Sequence, residues 1–141
     1  MKEADLITLI VRTLKQQWGK SVVIHKNHGN RFQEAGRPDL EGGLFGRHFL
    51  IEAKTNTRFT GVQKTKLFTA ARAGSLAGGV VFVYNTVYWL TVNQCVNFSL
   101  RDRKNWLAIG NAKEIRWEFL YRYVEPFVAY YHGALDELSG S

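Results

Sequence analysis

A mixed α/β layer, with helices on both faces of a central sheet, is the fold class that the sequence predicts. The hydrophobic pattern gives the order helix, strand, strand, strand, helix, strand, strand. The continuous apolar run GVVFVY, residues 79–84, is typical of a strand that is covered on both faces. A chain of 141 residues has the size of one domain with its own core. We therefore expect a single domain over residues 1–141, with a core at about 3–92 and an aromatic-rich helical extension at about 93–141.

The first half of the chain is predicted to contain one helix followed by three strands. Residues 3–18 should form an amphipathic helix that ends at Gly19, because apolar side chains recur every three or four positions, at Ile7, Ile10, Leu14 and Trp18. The segments that follow are a short strand at residues 21–25, a polar basic loop at 26–36, and two strands at 38–41 and 47–55 around a turn at 42–46.

The second half is predicted to contain a helix, two strands and a less regular aromatic segment. The expected elements are a helix capped by Thr60 that ends at Gly74, strands at residues 79–84 and 87–92 around a turn at 85–86, and a short helix at about 99–106. Residues 112–138 indicate either two helices or one helix kinked at Pro126.

The composition is typical of a soluble intracellular protein. No segment has the roughly 18 consecutive apolar residues of a membrane span, and the first residues lack the apolar stretch of a signal peptide. The single cysteine, Cys95, has no partner for an internal disulfide, which fits a reducing compartment. We expect a protein of prokaryotic or phage type, located in the cytoplasm or the nucleoid, with no membrane partner.

The positive charge is concentrated in the first half of the chain. The net charge is +7; residues 1–75 contain 13 Lys and Arg against 6 Asp and Glu, whereas residues 76–141 contain 6 of each class. This asymmetry favours a polyanionic partner, nucleic acid before an acidic membrane surface. A solvated basic surface is the alternative interpretation.

Two carboxylates and a lysine fall on the predicted hairpin. Side chains alternate along a strand, so Glu52 and Lys54 point to the same face. A turn centred near residue 45 places Asp39 within direct or diagonal cross-strand distance of Glu52. Two carboxylates this close repel each other unless a proton or a cation lies between them, and Mg²⁺ suits such oxygen ligands. A Glu52–Lys54 surface pair on an edge strand is the alternative.

These residues resemble the PD-(D/E)XK nuclease superfamily. The stretch GRPDL…IEAK…TGVQ…ARAG is most similar to its VRR-NUC and Holliday-junction-resolvase-like branch. The resemblance covers residues 3 to about 85 and implies a restriction-endonuclease-like mixed sheet with an α-β-β-β-α-β core. It also implies an endonuclease that uses Mg²⁺, with Mn²⁺ as a substitute, to hydrolyse phosphodiester bonds in branched or nicked DNA, Holliday junctions among the candidates.

The resemblance implies a role for each matching residue. Asp39 and Glu52 would bind the metal together with the backbone carbonyl of Ala53. Lys54 would position the nucleophilic water. Gln63 would reach the same site from the first turn of its helix, although a polar residue near a helix start needs no such role.

One further carboxylate is expected to complete the metal site. In the related nucleases a glutamate on the first helix often does so, which indicates Glu3, a residue that heads the apolar stripe of its predicted helix. A favourable interaction with the helix dipole is the alternative for Glu3. Glu34, on the predicted loop, competes for the same role.

Basic residues around the motif are expected to contact nucleic acid. The loop of residues 26–36 combines cations, amides and glycine, which suit phosphate contacts. His25 and His28 lack a cysteine or a third histidine at metal-ligand spacing, which argues against zinc, and they are either DNA-contacting or ordinary loop residues. The expected contacts are Lys26, His28, Arg31, Arg37, Lys64 and Lys66.

The last third of the chain carries a dense aromatic set on predicted helical segments, at Trp106, Trp117, Phe119, Tyr121, Tyr123, Phe127, Tyr130 and Tyr131. Packing over the sheet is the first interpretation. A homodimer interface and a stacking platform for bases are the alternatives, and the neutral charge of this region argues against the platform.

A DNA endonuclease is thus the predicted function. A non-catalytic DNA-binding module of the same fold is one alternative, which the intact Asp39, Glu52 and Lys54 argue against. An RNA-directed nuclease is another, and no stacking motif of an RNA-recognition sheet favours it.

Overall fold

The computed structural model describes residues 1–26, 39–56, 58–126 and 128. Its helices and strands are, in chain order, α1 (Glu3–Trp18), β1 (Val22–Lys26), β2 (Leu40–Leu44), β3 (Arg47–Thr55), α2 (Gly61–Arg72), β4 (Leu76–Val83), β5 (Thr86–Leu90), α3 (Val92–Val96) and β6 (Leu107–Gly110). Short 3₁₀ helices lie at Gly19–Ser21, Leu100–Asn105 and Glu118–Leu120. Over these described ranges, no helix has both the length and the apolar character that crossing a membrane requires.

The strands form one mixed sheet in the order β1-β2-β3-β4-β5-β6. β3 and β4 run parallel and α2 connects them, whereas the other neighbouring strands pair antiparallel. The predicted order α-β-β-β-α-β is therefore confirmed. α1 packs on one face of the sheet, while α2 and α3 pack on the other. This arrangement confirms the α/β class with helices on both faces.

The two long helices have the predicted limits because their capping residues fix them. α1 ends before Gly19, whose φ of 53° lies in the left-handed region that favours glycine. At the start of α2, the Thr60 hydroxyl accepts a hydrogen bond from the backbone N–H of Gln63 at 3.2 Å. Gly74, with φ of 90°, follows the end of α2.

The β2–β3 hairpin corrects the predicted turn at residues 42–46. Strand β2 continues through Leu44, and the turn consists of Phe45 and Gly46 alone, with φ of 50° and 79°. Positive φ at both central residues is typical of the tight turns that match the twist of a hairpin. The register pairs Leu40 with Ile51, so one residue further Asp39 lies opposite Glu52.

Two hydrophobic clusters cover the two faces of the sheet. The first joins α1 to the residues after β6, and its fully buried members include Leu6, Ile10, Leu40, Val80 and Trp117. The second lies under α2 and α3 and includes Leu50, Phe59, Leu67, Val81, Cys95 and Trp106. Leu50 belongs to the second cluster, so the alternation along β3 directs Glu52 and Lys54 to the α2 face.

The part of the chain after β4 differs from the prediction in several places. The β4–β5 turn consists of Tyr84 and Asn85 rather than residues 85–86, and the helix expected at 99–106 is a 3₁₀ helix. Helix α3 and strand β6 were not predicted. Residues 111–117 are not helical, so within the segment predicted as helical at 112–138 the described helical residues are 118–126 and 128.

The aromatic residues of the last third serve the core in part. Trp117 is fully buried, and its indole N–H donates to the Thr13 hydroxyl at 2.8 Å. Trp106 is also buried, whereas Tyr121 and Tyr123 are exposed. Core packing is therefore confirmed for the two tryptophans. Phe127, Tyr130 and Tyr131 lie outside the described residues.

Candidate functional site

Asp39 and Glu52 meet at one end of the strands, where β2 begins and β3 approaches its C-terminus. Asp39 directly precedes β2, and its Oδ2 atom accepts a hydrogen bond from the backbone N–H of Ala53 at 2.8 Å. The N–H and C=O of one strand residue point to the same side, so the carbonyl of Ala53 also faces the Asp39 side. The hairpin register thus brings together three of the groups that the sequence predicts as metal ligands.

Glu52 is fully buried, which is exceptional for a carboxylate. Its Oε2 atom accepts a hydrogen bond from the Gln63 side-chain amide at 3.1 Å. Its Oε1 atom is buried and has no hydrogen-bond partner among the described residues. A buried charge without full hydrogen bonding is unfavourable, so among the described residues this oxygen needs a proton shared with Asp39 or a cation.

The burial of Glu52 depends on a glycine in the neighbouring strand. Gly79 stands beside Glu52 in the parallel register. A Cβ atom at Gly79 would lie 2.6 Å from both the Phe59 ring and the Cys95 sulfur, so only glycine lets these two side chains close over the sheet there. Burial and the nearby Glu52 charge raise the pKa of the Cys95 thiol to about 12. The thiol therefore stays protonated and unreactive, and Cys95 serves as a packing residue beside Glu52.

The environment of Glu52 strongly favours its uncharged form. Burial first, and then the negative charge of Asp39 and the hydrogen bond between the two side chains, together raise the pKa of Glu52 from its usual 4.5 to about 8. The Gln63 amide opposes this rise only weakly, as the smallest of the contributions. The two carboxyl groups are close enough that a proton or a cation must lie between them.

The donor set fits a hard divalent cation. Two carboxylates and a backbone carbonyl are oxygen ligands of the kind that Mg²⁺ and Mn²⁺ bind, and none of the described residues gives the Glu52 Oε1 atom a hydrogen bond. Over the described ranges, no group of three or more His, Cys, Asp or Glu side chains is placed to hold a metal. Glu3 therefore does not complete a three-carboxylate set with Asp39 and Glu52 in this structure, and its role as a ligand stays a prediction.

Lys54 and Glu3 border the carboxylate pair. Lys54 comes directly after Ala53 in β3, and its side chain points to the α2 face. It is half-buried and lies beside Val81 of β4. Partial burial raises the pKa of Glu3, and the charge of Lys54 lowers it while that of Asp39 raises it. Glu3 thus begins α1 near enough to interact electrostatically with both residues.

Gln63 links the start of α2 to the site. Its Oε1 atom accepts from the backbone N–H of Thr60 at 2.9 Å, while its Nε2 atom donates to Glu52. The capping box and the contact with Glu52 thus use opposite ends of the same amide. Gln63 is therefore a helix-start residue that also contacts Glu52, and its part in a functional site stays a prediction.

The predicted nucleic-acid contacts are only partly covered by the described residues. Lys26 ends β1 beside Leu40, one position from Asp39, and is exposed. Lys64 is half-buried and Lys66 exposed on the first turns of α2. These three lysines lie on elements that start or end near the carboxylate pair. His28, Arg31, Arg37 and the alternative ligand Glu34 lie outside the described residues.

The sequence did not identify the residues that create the environment of Glu52. Phe59, Gly79 and Cys95 are ordinary core residues in the sequence, and only the tertiary structure brings them around the carboxylate. The available signal was the pair of glycines at 78 and 79 inside an apolar strand, which indicates a close approach of another group.

Comparisons with known proteins find likenesses among solved structures only. No family model matches the chain, and no curated protein matches it. Among solved structures, the chain is similar to Hjc, a Holliday junction resolvase from the archaeal hyperthermophile Archaeoglobus fulgidus, with a TM-score of 0.45 and 16% sequence identity. The match covers 62% of this chain and 77% of that one.

Proposed function

We propose that the protein is a metal-dependent endonuclease that hydrolyses phosphodiester bonds in DNA. The observation that carries the proposal is the buried Glu52, which lies against Asp39 and has one oxygen with no hydrogen-bond partner in the part of the chain that the structure describes. Such an arrangement destabilises the folded chain unless a cation neutralises it, and functional sites are where such costs are retained. The sequence resemblance to PD-(D/E)XK nucleases assigns the same residues.

Residues of the β2–β3 hairpin, with Glu3 of α1, would bind the metal ion that the reaction needs. Asp39, Glu52 and the Ala53 carbonyl would hold Mg²⁺ or Mn²⁺, with Glu3 as a further candidate ligand. The bound ion would supply Lewis-acid polarisation of a phosphoryl oxygen and a more acidic water. Gln63 donates a hydrogen bond to one Glu52 oxygen, and the other oxygen, which has no hydrogen bond within the described residues, would bind the ion.

Lys54 would be the group that acts on the reacting phosphate. Its ammonium group, one residue beyond the Ala53 carbonyl, would orient the attacking water and offset the negative charge that builds on phosphorus in the transition state. Lys26, Lys64 and Lys66 would bind flanking phosphates, together with His28, Arg31 and Arg37 of the basic loop.

The preferred substrate would be branched or nicked DNA, cut by a homodimer in the case of four-way junctions. Two symmetry-related strands need two active sites, and the exposed Tyr121 and Tyr123 supply aromatic surface near the C-terminal end of the described chain. Light scattering at tens of micromolar protein, with and without DNA, tests this state. A monomer in both cases would instead favour a nickase or a single-strand cutter.

Cleavage assays test the proposal directly. A fluorescent four-way junction, linear duplex, single strand and RNA are each incubated with the protein in Mg²⁺, in Mn²⁺ and in EDTA. We expect metal-dependent cleavage of the branched DNA, and its loss in Asp39→Ala and Glu52→Ala, with binding retained. Binding without cleavage would support a non-catalytic module, and preferred cleavage of RNA would support the RNA-directed alternative.

A further inference from the structure

We propose that Tyr84 and Arg103 form a second subsite, which holds an unpaired nucleotide of the strand bound at the carboxylate pair. This inference rests on the proposed function, because it describes how the substrate of that same site continues along the same end of the strands. The tyrosine would stack on a base, and the arginine would contact the adjoining phosphate.

The two side chains are stacked, with Tyr84 exposed and Arg103 half-buried. The Arg103 guanidinium carbon lies 4.1 Å from the centre of the Tyr84 ring, and Tyr84 is 66% exposed. The guanidinium covers one face of the ring, and the large exposure of Tyr84 leaves the other face open to solvent. Stacking of a base on an open aromatic face is the common way in which proteins bind single strands without reading their sequence.

The charge of Arg103 is available for a phosphate. Among the described residues, no carboxylate forms an ion pair with Arg103. Stacking on a ring leaves the N–H groups at the edge of the guanidinium free, and those groups suit phosphate oxygens. Arg101 and Lys104 are exposed on the same 3₁₀ helix, and Asp102 is its single acid. The neutral total of residues 76–141 therefore conceals a local basic cluster.

The subsite lies at the same end of the strands as the carboxylate pair, namely the C-terminal end of the parallel strands β3 and β4. In the parallel register Lys54 stands beside Val81, and Tyr84 follows the end of β4. Three residues of strand rise place Tyr84 about 10 Å beyond the level of Lys54. This separation corresponds to about three base steps at the rise of B-form DNA, so one strand can reach both places.

Arg103 also lies on the same face of the sheet as Glu52. The 3₁₀ helix that carries it ends at Trp106, a buried member of the cluster under α2 and α3. Trp106 packs against Phe98, and Phe98 packs against Phe59 beside the carboxylate pair. The Trp106 backbone N–H donates to the Arg103 carbonyl at 3.0 Å. The basic cluster is thus joined to the site through packed aromatic rings.

The backbone conformation at Tyr84 is unfavourable for an aromatic residue. Tyr84 and Asn85 have φ of 52° and 58°, in the left-handed region that Gly and Asn adopt more easily than an aromatic residue does. The exposed ring contributes little to the core in return. A tyrosine that is both unfavourable for its turn and exposed is explained by a ligand that stacks on it.

The test measures binding of a single-stranded oligonucleotide that carries 2-aminopurine about three nucleotides from the expected cleavage point. EDTA is present, so that binding is read without cleavage. We expect Tyr84→Asn to weaken binding about 5-fold to 100-fold and to abolish the stacking quench of the fluorophore. Arg103→Gln should weaken binding and reduce the salt slope by about 0.7, the value for one phosphate contact on a single strand.

Thermal unfolding separates this role from a structural one, because Asn suits the turn better than Tyr. The melting temperature of Tyr84→Asn should hold or rise while its affinity falls. Phe68 and Arg72 provide matched controls, since Phe68 is 52% exposed and Arg72 lies 5.9 Å from its ring centre. That pair lies toward the far end of α2, and Phe68→Gln and Arg72→Gln should change binding less than 2-fold.

The binding and cleavage results together distinguish failure of the Tyr84–Arg103 subsite from failure of the proposed nuclease function. If Tyr84→Asn binds and quenches like the wild type, or if the control variants lose as much affinity, the subsite is overturned. If such results accompany normal metal-dependent cleavage, the proposed function stands without the subsite. A wild-type protein that neither binds nor cleaves any of the nucleic acids would overturn both.

Discussion

Replacing Glu52 by glutamine should stabilise the metal-free protein while abolishing its activity. Glutamine has the same shape, and its carbonyl oxygen can accept the hydrogen bond that Gln63 now donates to Glu52. Its amide N–H groups can donate toward Asp39, where the carboxylate of Glu52 is repelled. The substitution therefore removes a charge and a repulsion without leaving a cavity.

The size of the gain follows from the pKa of Glu52. Burial and Asp39 raise this pKa from 4.5 to about 8 in the folded state. At pH 7 the folded chain therefore holds a proton that the unfolded chain has released. Each unit between 4.5 and 7 costs about 1.4 kcal/mol, so the cost at pH 7 is about 3 kcal/mol. Glu52→Gln should recover much of this free energy and raise the melting temperature by about 10 °C.

The pH dependence gives the same prediction with a definite sign. Because the folded-state pKa is raised, the stabilisation from protonated Glu52 is complete below pH 4.5 and is lost as the pH rises through about 8. Glu52 should therefore contribute a fall in wild-type stability of about 1.4 kcal/mol per pH unit across this window. In Glu52→Gln this contribution should be absent.

Denaturant titrations in EDTA from pH 5 to 9 measure both quantities, with Glu118→Gln as the control for loss of an exposed carboxylate. Mg²⁺ should stabilise the wild type at pH 8 and leave Glu52→Gln unchanged. A Glu52→Gln variant that is less stable than the wild type at pH 8, with the same pH dependence, would refute the claim that the burial of Glu52 beside Asp39 destabilises the metal-free fold.

Three further predictions concern other parts of the site and the core. Lys54→Met should reduce cleavage at least about 100-fold with DNA binding nearly unchanged, as expected for a group that acts in the transition state; an equal loss of binding would contradict that role. Gln63→Ala and Gln94→Ala remove equivalent capping boxes, so in thermal unfolding each should lose about 1 kcal/mol, Gln63→Ala should lose more because the buried Glu52 also loses its donor, and only Gln63→Ala should lose activity. Trp117→Ala should cost about 3–5 kcal/mol in denaturant unfolding, and a cost below 1 kcal/mol would show that this ring is not part of the core.

Local signals explain which elements the sequence predicts well. α1 and β3 have the predicted limits, because a regular apolar stripe and a glycine stop define the helix and alternation defines the strand. β6 was missed because it is a four-residue edge strand whose partner, β5, lies far away in the sequence. Its side chains alternate too briefly to produce a recognisable pattern.

The candidate site follows the same division between local and tertiary information. Asp39 and Glu52 were identified from their spacing and Gln63 from the family resemblance, and the structure brings all three together. The complete burial of Glu52 was not predictable, because it depends on Gly79 leaving room for Phe59. The stacked pair of Tyr84 and Arg103 likewise joins two segments that the sequence separates.

The measurement that tests the carboxylate pair most directly is the number of protons released when Mg²⁺ binds, obtained by calorimetry at pH 7 in buffers of different ionisation enthalpy. A Glu52 pKa of about 8 means that the metal-free site holds about one proton at pH 7, which a cation must displace. We predict the release of about one proton at pH 7, almost none at pH 9.5, and no comparable binding by Glu52→Gln. Binding without proton release, or unchanged binding by that variant, would contradict the assignment of Asp39 and Glu52 as the metal site.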